Sequence, residues 1–307
     1  MTYSQGGLIQ AVDYNTFAQG GASVTHTTAN INTVWGVGTG NKGYGQTSTL
    51  STVGVETVTA TQWATLIARL DSILTHQAGS GSGISAPTAG SNIAFLSTLS
   101  SKITDGMNNR LDANSNGSDA TATGSSTYNY TTNTGTQSFT RTATFASADQ
   151  ARYFFNAGGK LIWNFSSTNQ NSTSKSGDWV TLLGHIGTIV IGGQTNSRTG
   201  TGGTLNSSNT ALGYWNAGTS AASILRLFGA TGTADYNNND VQVKIHTNGV
   251  QGSNADVGQI VTLTVELTDT AADGFDDAVS VNVVTSLTVR PPETTNLANT
   301  WGSITPG

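Results

Sequence analysis

Charged residues are the scarcest feature of this chain of 307 residues. Lysine and arginine total 12, aspartate and glutamate total 17, and together they make up 9% of the sequence, against about 25% in an average soluble domain. The formal net charge is −5. A surface that binds nucleic acid needs clustered basic residues, so we expect no nucleic-acid partner.

Cysteine is absent, and proline occurs only 4 times. Without cysteine the chain has no disulfide framework, no thiolate nucleophile and no zinc–thiolate site. The sequence also lacks the run of about 18 apolar residues that a membrane-spanning helix needs. We therefore expect no membrane insertion.

Glycine, by contrast, contributes 38 residues, and much of the remainder is threonine, serine and asparagine. A surface of these residues is typical of proteins that work outside cells. The first ten residues, MTYSQGGLIQ, nevertheless have neither the basic nor the apolar stretch of a secretory signal. Both features fit a protein that folds in a host cytoplasm and is released by lysis.

The first segment, residues 1–113, is predicted to consist of helices and loops. Its clearest helix runs from Thr59 to about Gln77 and begins with capping-box spacing between Thr59 and Gln62. Apolar residues recur there at helical intervals, at Trp63, Leu66, Ile67, Leu70, Ile73 and Leu74. Further helices are predicted at Ala11–Gln19 and after Ser91. These helices are too few to bury their own apolar stripes, so we expect them to pack on each other or on another copy of the chain, and the segment to serve in attachment or oligomerisation.

The second segment, residues 137–292, is predicted to be rich in strands. Residues 114–136 precede it as a low-complexity linker of asparagine, serine, threonine and glycine, and residues 293–307 follow it as a tail. Apolar and polar residues alternate in the predicted strands, which are Gln137–Phe145, Lys160–Ser166, Leu212–Trp215, Ala222–Phe228, Asp240–His246, Gln259–Thr268 and Val279–Val289. Helices are predicted at Ala146–Asn156 and from Asp178 to about Ile189. The sequence thus predicts an α+β fold, in which an N-terminal helical and loop segment precedes a β-sandwich-like domain with short packed helices.

Three patches of the sequence carry a resemblance to a known class of proteins. They are Gly7–Asn15 with Asn32–Gly38, Gly43–Gln46 and the Thr59–Gln77 helix; Ala146–Gly159; and Val289–Pro292. In these patches the chain resembles structural proteins of tailed bacteriophages, especially tail, neck or fibre-associated proteins of cyanophage-like and other marine phages. The resemblance implies a location in the virion, with copies of the same chain and other virion proteins as partners.

Four aromatic residues are candidates for subunit interfaces. Trp35 and Tyr44 flank a glycine-rich run that lacks dinucleotide-fingerprint and phosphate-loop spacing, and we expect that run to pack tightly or to contact a neighbouring subunit. Trp63 lies on the apolar stripe of the clearest helix. Trp301 lies in the tail, where docking on a neighbouring subunit and packing on its own domain are both open.

Acidic residues cluster at one point of the chain, comprising Glu266, Asp269, Asp273, Asp276 and Asp277. Several carboxylates from one loop suit a hard cation such as Ca²⁺, so the four aspartates are weak candidates for metal ligands. Their spacing departs from the EF-hand pattern, and a solvated hairpin tip that discourages edge pairing is the preferred interpretation. We expect no cofactor.

No motif brings catalytic groups together, since the four histidines are far apart and no serine is paired with a histidine and an acid. Together with the resemblance, this leads us to expect a non-enzymatic virion structural protein that forms part of the tail, neck or fibre apparatus. Two alternatives stay open. One is a receptor- or carbohydrate-binding module that stacks a host surface glycan on Trp179, Tyr214, Trp215 or Tyr236. The other is a glycan hydrolase, although the repeat period of a β-helix is not found.

Overall fold

The computed structural model of the chain describes residues 11–19, 29–36, 43–47, 49–51, 53–54, 57–91, 93–130, 135–193, 196–206, 218–229, 239–249, 258–269 and 278–307. Within these ranges the helices are α1 (Ala11–Gln19), α2 (Ile31–Trp35), α3 (Ala60–Ala78), α4 (Leu96–Asn108), α5 (Ala148–Asn156) and α6 (Ser174–Gly184). The strands are β1 (Ala120–Tyr130), β2 (Gly135–Thr144), β3 (Lys160–Asn169), β4 (Ile189–Ile191), β5 (Asn196–Arg198), β6 (Ala222–Phe228), β7 (Asp240–Thr247), β8 (Ile260–Asp269), β9 (Val279–Arg290) and β10 (Thr305–Pro306).

Local sequence signals set the ends of the helices. The capping box predicted for α3 is present, because Thr59 accepts a hydrogen bond from the Gln62 backbone and the Gln62 side chain accepts one from the Thr59 backbone. The helix ends at Gly79, whose φ of 78° lies in the left-handed region. None of the helices in the described ranges has the length and apolarity required to cross a membrane.

Two five-stranded antiparallel sheets follow the helical segment, in the orders β1-β9-β3-β4-β5 and β10-β2-β8-β7-β6. In β8 and β9 every second side chain is buried, as the alternating sequence predicts. The sheets meet where β2 faces β9, and Arg141 of β2 donates a hydrogen bond to the Thr285 carbonyl of β9. The predicted α+β class is therefore confirmed.

The predicted linker of residues 114–136 is instead largely a strand. Eleven residues of it form β1, which pairs with β9 from Ala120 opposite Val289 to Tyr130 opposite Val279. Low complexity misled the prediction here, because threonine favours strands and the strand propensity of the other residues depends on the strand beside them, which is β9.

The tail is also part of the fold. Thr305 and Pro306 form β10 against β2, and Leu297 and Trp301 are buried.

Two smaller differences concern the predicted α6 and one strand. Helix α6 begins at Ser174, after its cap Thr173, and not at Asp178 as predicted. It ends at Gly184 and not near Ile189, and Gly187, which has a positive φ, follows it. The predicted strand Leu212–Trp215 lies outside the described residues.

One continuous cluster of buried apolar side chains joins the helical segment to both sheets. It contains Tyr14 and Leu70 from the helices, Trp163 and Leu263 from the two sheets, and Trp301 from the C-terminal residues. The helices therefore bury their apolar stripes within their own chain.

Candidate functional site

The interface candidates of the helical segment lie in its core. Trp63 is 1% exposed, with the Tyr14 ring 5.4 Å away edge to face and the Phe95 ring at 5.8 Å. Trp35 donates its indole N–H to the Thr47 carbonyl at 2.9 Å, and the Arg69 guanidinium stacks over its ring. Both rings are satisfied by residues of the same chain, so neither is available to a partner.

The other two candidates, Tyr44 and Trp301, are likewise 0% and 1% exposed. All four aromatic residues are thus core residues rather than interface residues. Trp35 and Trp63 are covered by other residues of the helical segment. At Tyr44 the C-terminal segment returns to the helical segment and supplies cover that a neighbouring subunit was expected to supply. For Trp301 the alternative of packing on its own chain is the one observed.

Buried hydrogen bonds hold the C-terminal segment against the helical segment. We call Tyr44, Gln46, His76, Gln77 and Glu293 the polar junction. The Tyr44 hydroxyl donates to the Arg110 carbonyl at 2.8 Å and accepts from the Gln77 side-chain amide at 2.7 Å. Because this hydroxyl is fully buried, desolvation raises the pKa of Tyr44 far above its usual value, and the phenol stays a neutral donor.

Gln46 of the polar junction binds the C-terminal segment through both ends of its amide. It donates to the Ala298 carbonyl at 2.8 Å and accepts from the Ala298 N–H at 2.9 Å, as a neighbouring strand would. Thr300 adds a hydrogen bond from its hydroxyl to the Tyr44 carbonyl. The helical segment is therefore held to the end of the chain by hydrogen bonds between side chains and backbone groups, as well as by apolar contact.

His76 connects three parts of the fold at the polar junction. Its Nε2 lies 2.9 Å from the Ala157 carbonyl and so carries the proton, while its Nδ1 lies 3.5 Å from a Glu293 carboxylate oxygen. Burial lowers the pKa of His76. Desolvation acts to raise the pKa of Glu293, but hydrogen bonds from Thr295 and Asn296 and the nearness of His76 outweigh it and leave that pKa lowered.

Stability is expected to depend on pH through His76. Its pKa is lowered from 6.5 in the folded state, so its contribution is complete above pH 6.5 and declines as the pH falls through the lowered folded-state value, because the unfolded chain takes up the proton first. The measurement is urea unfolding at about pH 7.5 and at about pH 5.5. We expect the free energy of unfolding to decrease less between these two pH values in His76→Gln than in the wild type. His246→Gln, on β7, serves as the control and is expected to keep the wild-type decrease. An unchanged pH dependence in His76→Gln would contradict this role.

The acidic cluster does not form a metal site in the described part of the chain. The Asp269 carboxylate lies 2.7 Å from the Lys175 ammonium and both side chains are buried, so a lysine occupies the position that a cation was expected to take. Glu266 pairs with Lys244 at 2.6 Å. Asp273, Asp276 and Asp277 lie outside the described residues, and no group of three or more potential ligands occurs within them.

The candidate sugar-stacking residues give no platform that the structure describes. Trp179 is fully buried, with the Tyr128 ring 5.2 Å away edge to face. Tyr214, Trp215 and Tyr236 lie outside the described residues.

Comparisons of the chain with protein-family models, with curated proteins and with solved structures find no match.

The outer edge of β1 is the described surface best suited to assembly. Among the described strands β1 pairs with β9 alone, and its eleven residues, ATATGSSTYNY, include no charge and no proline. The Gln137 side chain donates to the Thr127 carbonyl at 3.3 Å, which shows that Thr127 directs its backbone groups away from β9. By the alternation of an antiparallel ladder, Ser125 and Asn129 do the same.

Three of the other edge strands carry a feature that hinders pairing with another chain. At the opposite end of the first sheet, β5 has three residues and ends in Arg198. In the second sheet, β10 has two residues and contains Pro306. The remaining edge strand, β6, has an irregular register between Ser223 and Leu225, and Asn206 donates its N–H to the Ile224 carbonyl. Residues 135–141 of β2, which β10 does not cover, also form an outer edge, but they include the charged Arg141. Among the described strands, the edge of β1 is thus the long one without a charged residue.

Sequence reasoning missed both β1 and Lys175. A signal for β1 exists in its alternation, since Ala122, Gly124 and Tyr128 fall on one face and are less exposed than their neighbours. The signal for Lys175 is its position four residues before Trp179, which places a lysine on the apolar stripe of α6.

Proposed function

We propose that this chain is a non-enzymatic structural protein of a tailed-phage particle, in its tail, neck or fibre apparatus, and that copies of it join through the edges of their β1 strands. The observation that carries the proposal is the long, uncharged edge of β1, which pairs with β9 alone among the described strands. The receptor-binding and glycan-hydrolase alternatives have no comparable observation among the described residues.

Pairing of β1 with β1 of a second copy is chemically self-compatible. Eleven residues at about 3.4 Å each give an edge of roughly 37 Å, and an antiparallel pair of such edges satisfies the outward N–H and C=O groups of both copies. Since β1 has no charged side chain, the two strands meet without repulsion in any register. A two-fold axis through the pair joins the β1-containing sheets of the two copies into one continuous sheet.

The rest of the sheet surface fits a subunit that packs against neighbours. Threonines face one another across strands, with hydroxyl oxygens of Thr121 and Thr288 at 2.8 Å and of Thr140 and Thr264 at 3.4 Å. Such surfaces lose little hydration energy on burial compared with charged ones, and the cores of subunit interfaces are depleted in charge. The resemblance of the three sequence patches to virion proteins supports the particle location.

A single proline in β1 is expected to reduce assembly. Thr127→Pro removes an N–H that points away from β9, so it blocks an added strand while the ladder to β9 stays intact. We expect light scattering after size exclusion to show a shift from oligomer towards monomer for Thr127→Pro. Thr127→Ala, which keeps the N–H, is the matched control and is expected to behave as the wild type. Equal oligomer fractions in both variants would exclude the β1 edge.

The particle location is tested separately. Peptide mass spectrometry of purified phage particles from an infected host is expected to detect the chain at a stoichiometry of many copies. A chain that oligomerises through β1 but is absent from particles would contradict the phage role and leave the assembly mode standing.

A further inference from the structure

The pair formed by Lys175 and Asp269 has an unusual environment for two opposite charges. Nζ lies 2.7 Å from Oδ2, and the side chains are 1% and 0% exposed. We propose that the two side chains are joined by an intramolecular isopeptide bond between Nζ of Lys175 and Cγ of Asp269. This inference is independent of the proposed function.

An ammonium group is poorly accommodated at Lys175. The residue lies in the first turn of α6, just after the cap at Thr173, where the helix dipole is positive and disfavours a cation. Within the described part of the chain Nζ makes no contact with the geometry of a hydrogen bond, although a buried ammonium has three protons to donate. Burial of both charges adds the desolvation cost of an ion pair. An amide carries no net charge and removes both penalties.

The ion pair of Lys244 and Glu266 shows what an ordinary contact of this kind looks like in the same protein. Its atoms are 2.6 Å apart, Nζ donates a hydrogen bond to the carboxylate, and the side chains are 22% and 24% exposed. Water reaches this pair, so hydration favours the ionic form. The distance from nitrogen to oxygen is thus similar in the two pairs, but the pair of Lys244 and Glu266 is partly exposed and the pair of Lys175 and Asp269 is buried.

The reaction is balanced by the pair itself. A proton passes from the Lys175 ammonium to the Asp269 carboxylate, which gives a neutral amine and a carboxylic acid. The nitrogen lone pair then attacks Cγ, the N–C bond forms and a C–O bond breaks. The departing hydroxyl takes the second amine proton and leaves as water. No oxidant, reductant or other reactant is consumed.

The bond would tie together the two sheets. Helix α6 packs on β3 and β9 of the first sheet, where Ser176 accepts a hydrogen bond from the Ser280 N–H at 3.0 Å. Asp269 ends β8, a strand of the second sheet. A covalent link between them restricts the unfolded chain as a disulfide does, in a protein that has no cysteine.

Mass spectrometry of the full-length protein tests the proposal. Under denaturing conditions we expect the intact mass to be lower than the sequence mass by one water molecule, after allowance for removal of the first methionine. Tryptic digestion is expected to give one branched peptide that contains Lys175 and Asp269, with no cleavage after Lys175. Peptides that contain Lys244 and Glu266 are the internal control and are expected to be separate and unmodified.

Two variants complete the experiment. Lys175→Arg and Asp269→Ala are each expected to restore the full sequence mass, and the digest of the wild type decides the question even where a variant fails to fold. A wild-type mass equal to the sequence mass, with free cleavage after Lys175, would overturn the proposal. An aspartate that precedes a glycine, such as Asp105, also loses one water molecule when it closes to a succinimide. If fragmentation assigned the loss of water to Asp105, the proposal would be overturned as well. Neither outcome bears on assembly through β1 or on the presence of the chain in particles.

Discussion

Replacing Trp301 by alanine is expected to lower the free energy of unfolding by about 3–5 kcal/mol, the usual cost of removing a buried tryptophan side chain. The ring is 1% exposed and belongs to the core cluster that joins the helices to the sheets. Its loss also loosens the segment in which Ala298 and Thr300 bind the polar junction. The effect is therefore expected to reach the helices, far away in the sequence.

Urea unfolding followed by circular dichroism measures the effect of Trp301→Ala, and hydrogen exchange of α3 shows whether the helices are loosened with it. Ser303→Ala changes an exposed residue of the same segment and is expected to stay within about 0.5 kcal/mol of the wild type. If α3 exchanges at its wild-type rate while the sheets are destabilised, the helical segment is an independent domain and the coupling described above is wrong.

Regular elements with strong local signals could be predicted from the sequence. The capping residues and apolar stripe place α3 within one residue of its observed ends, and the alternation of β-branched residues places β9 with similar accuracy. In both cases the information is local, because periodicity and caps are properties of neighbouring residues.

The remaining features depend on contacts between distant parts of the chain. β1 is a strand because β9 lies beside it, and Trp301 is buried because the chain returns to Tyr44. Aromatic residues in the sequence mark side chains that need burial, but the sequence does not distinguish cover by the same chain from cover by a partner. For the same reason an aspartate considered as a metal ligand proved to be paired with Lys175, whose position depends on the packing of α6.

The way the helical segment is anchored leads to a second large expected effect, at Gly45. This residue has a φ of 70°, and its N–H donates to the Gly36 carbonyl at 2.8 Å. The N–H groups of Tyr44 and Gln46, on either side of it, donate to carbonyls of α2. A Cβ at this position would overlap with the Tyr153 ring. Gly45→Ala therefore adds backbone strain of about 1–2 kcal/mol to overpacking of about 1–3 kcal/mol.

Gly83→Ala separates these two contributions. Gly83 has nearly the same φ, 71°, but a Cβ there meets nothing within 4 Å. We expect urea unfolding to show a loss of about 1–2 kcal/mol for Gly83→Ala and a clearly larger loss for Gly45→Ala. Equal losses would mean that the Tyr153 ring moves aside freely, and that the loop carrying Tyr44 and Gln46 is not held against α5. A larger loss at Gly45 places that loop, with the C-terminal residues that Gln46 binds, among the contacts on which the helical segment depends.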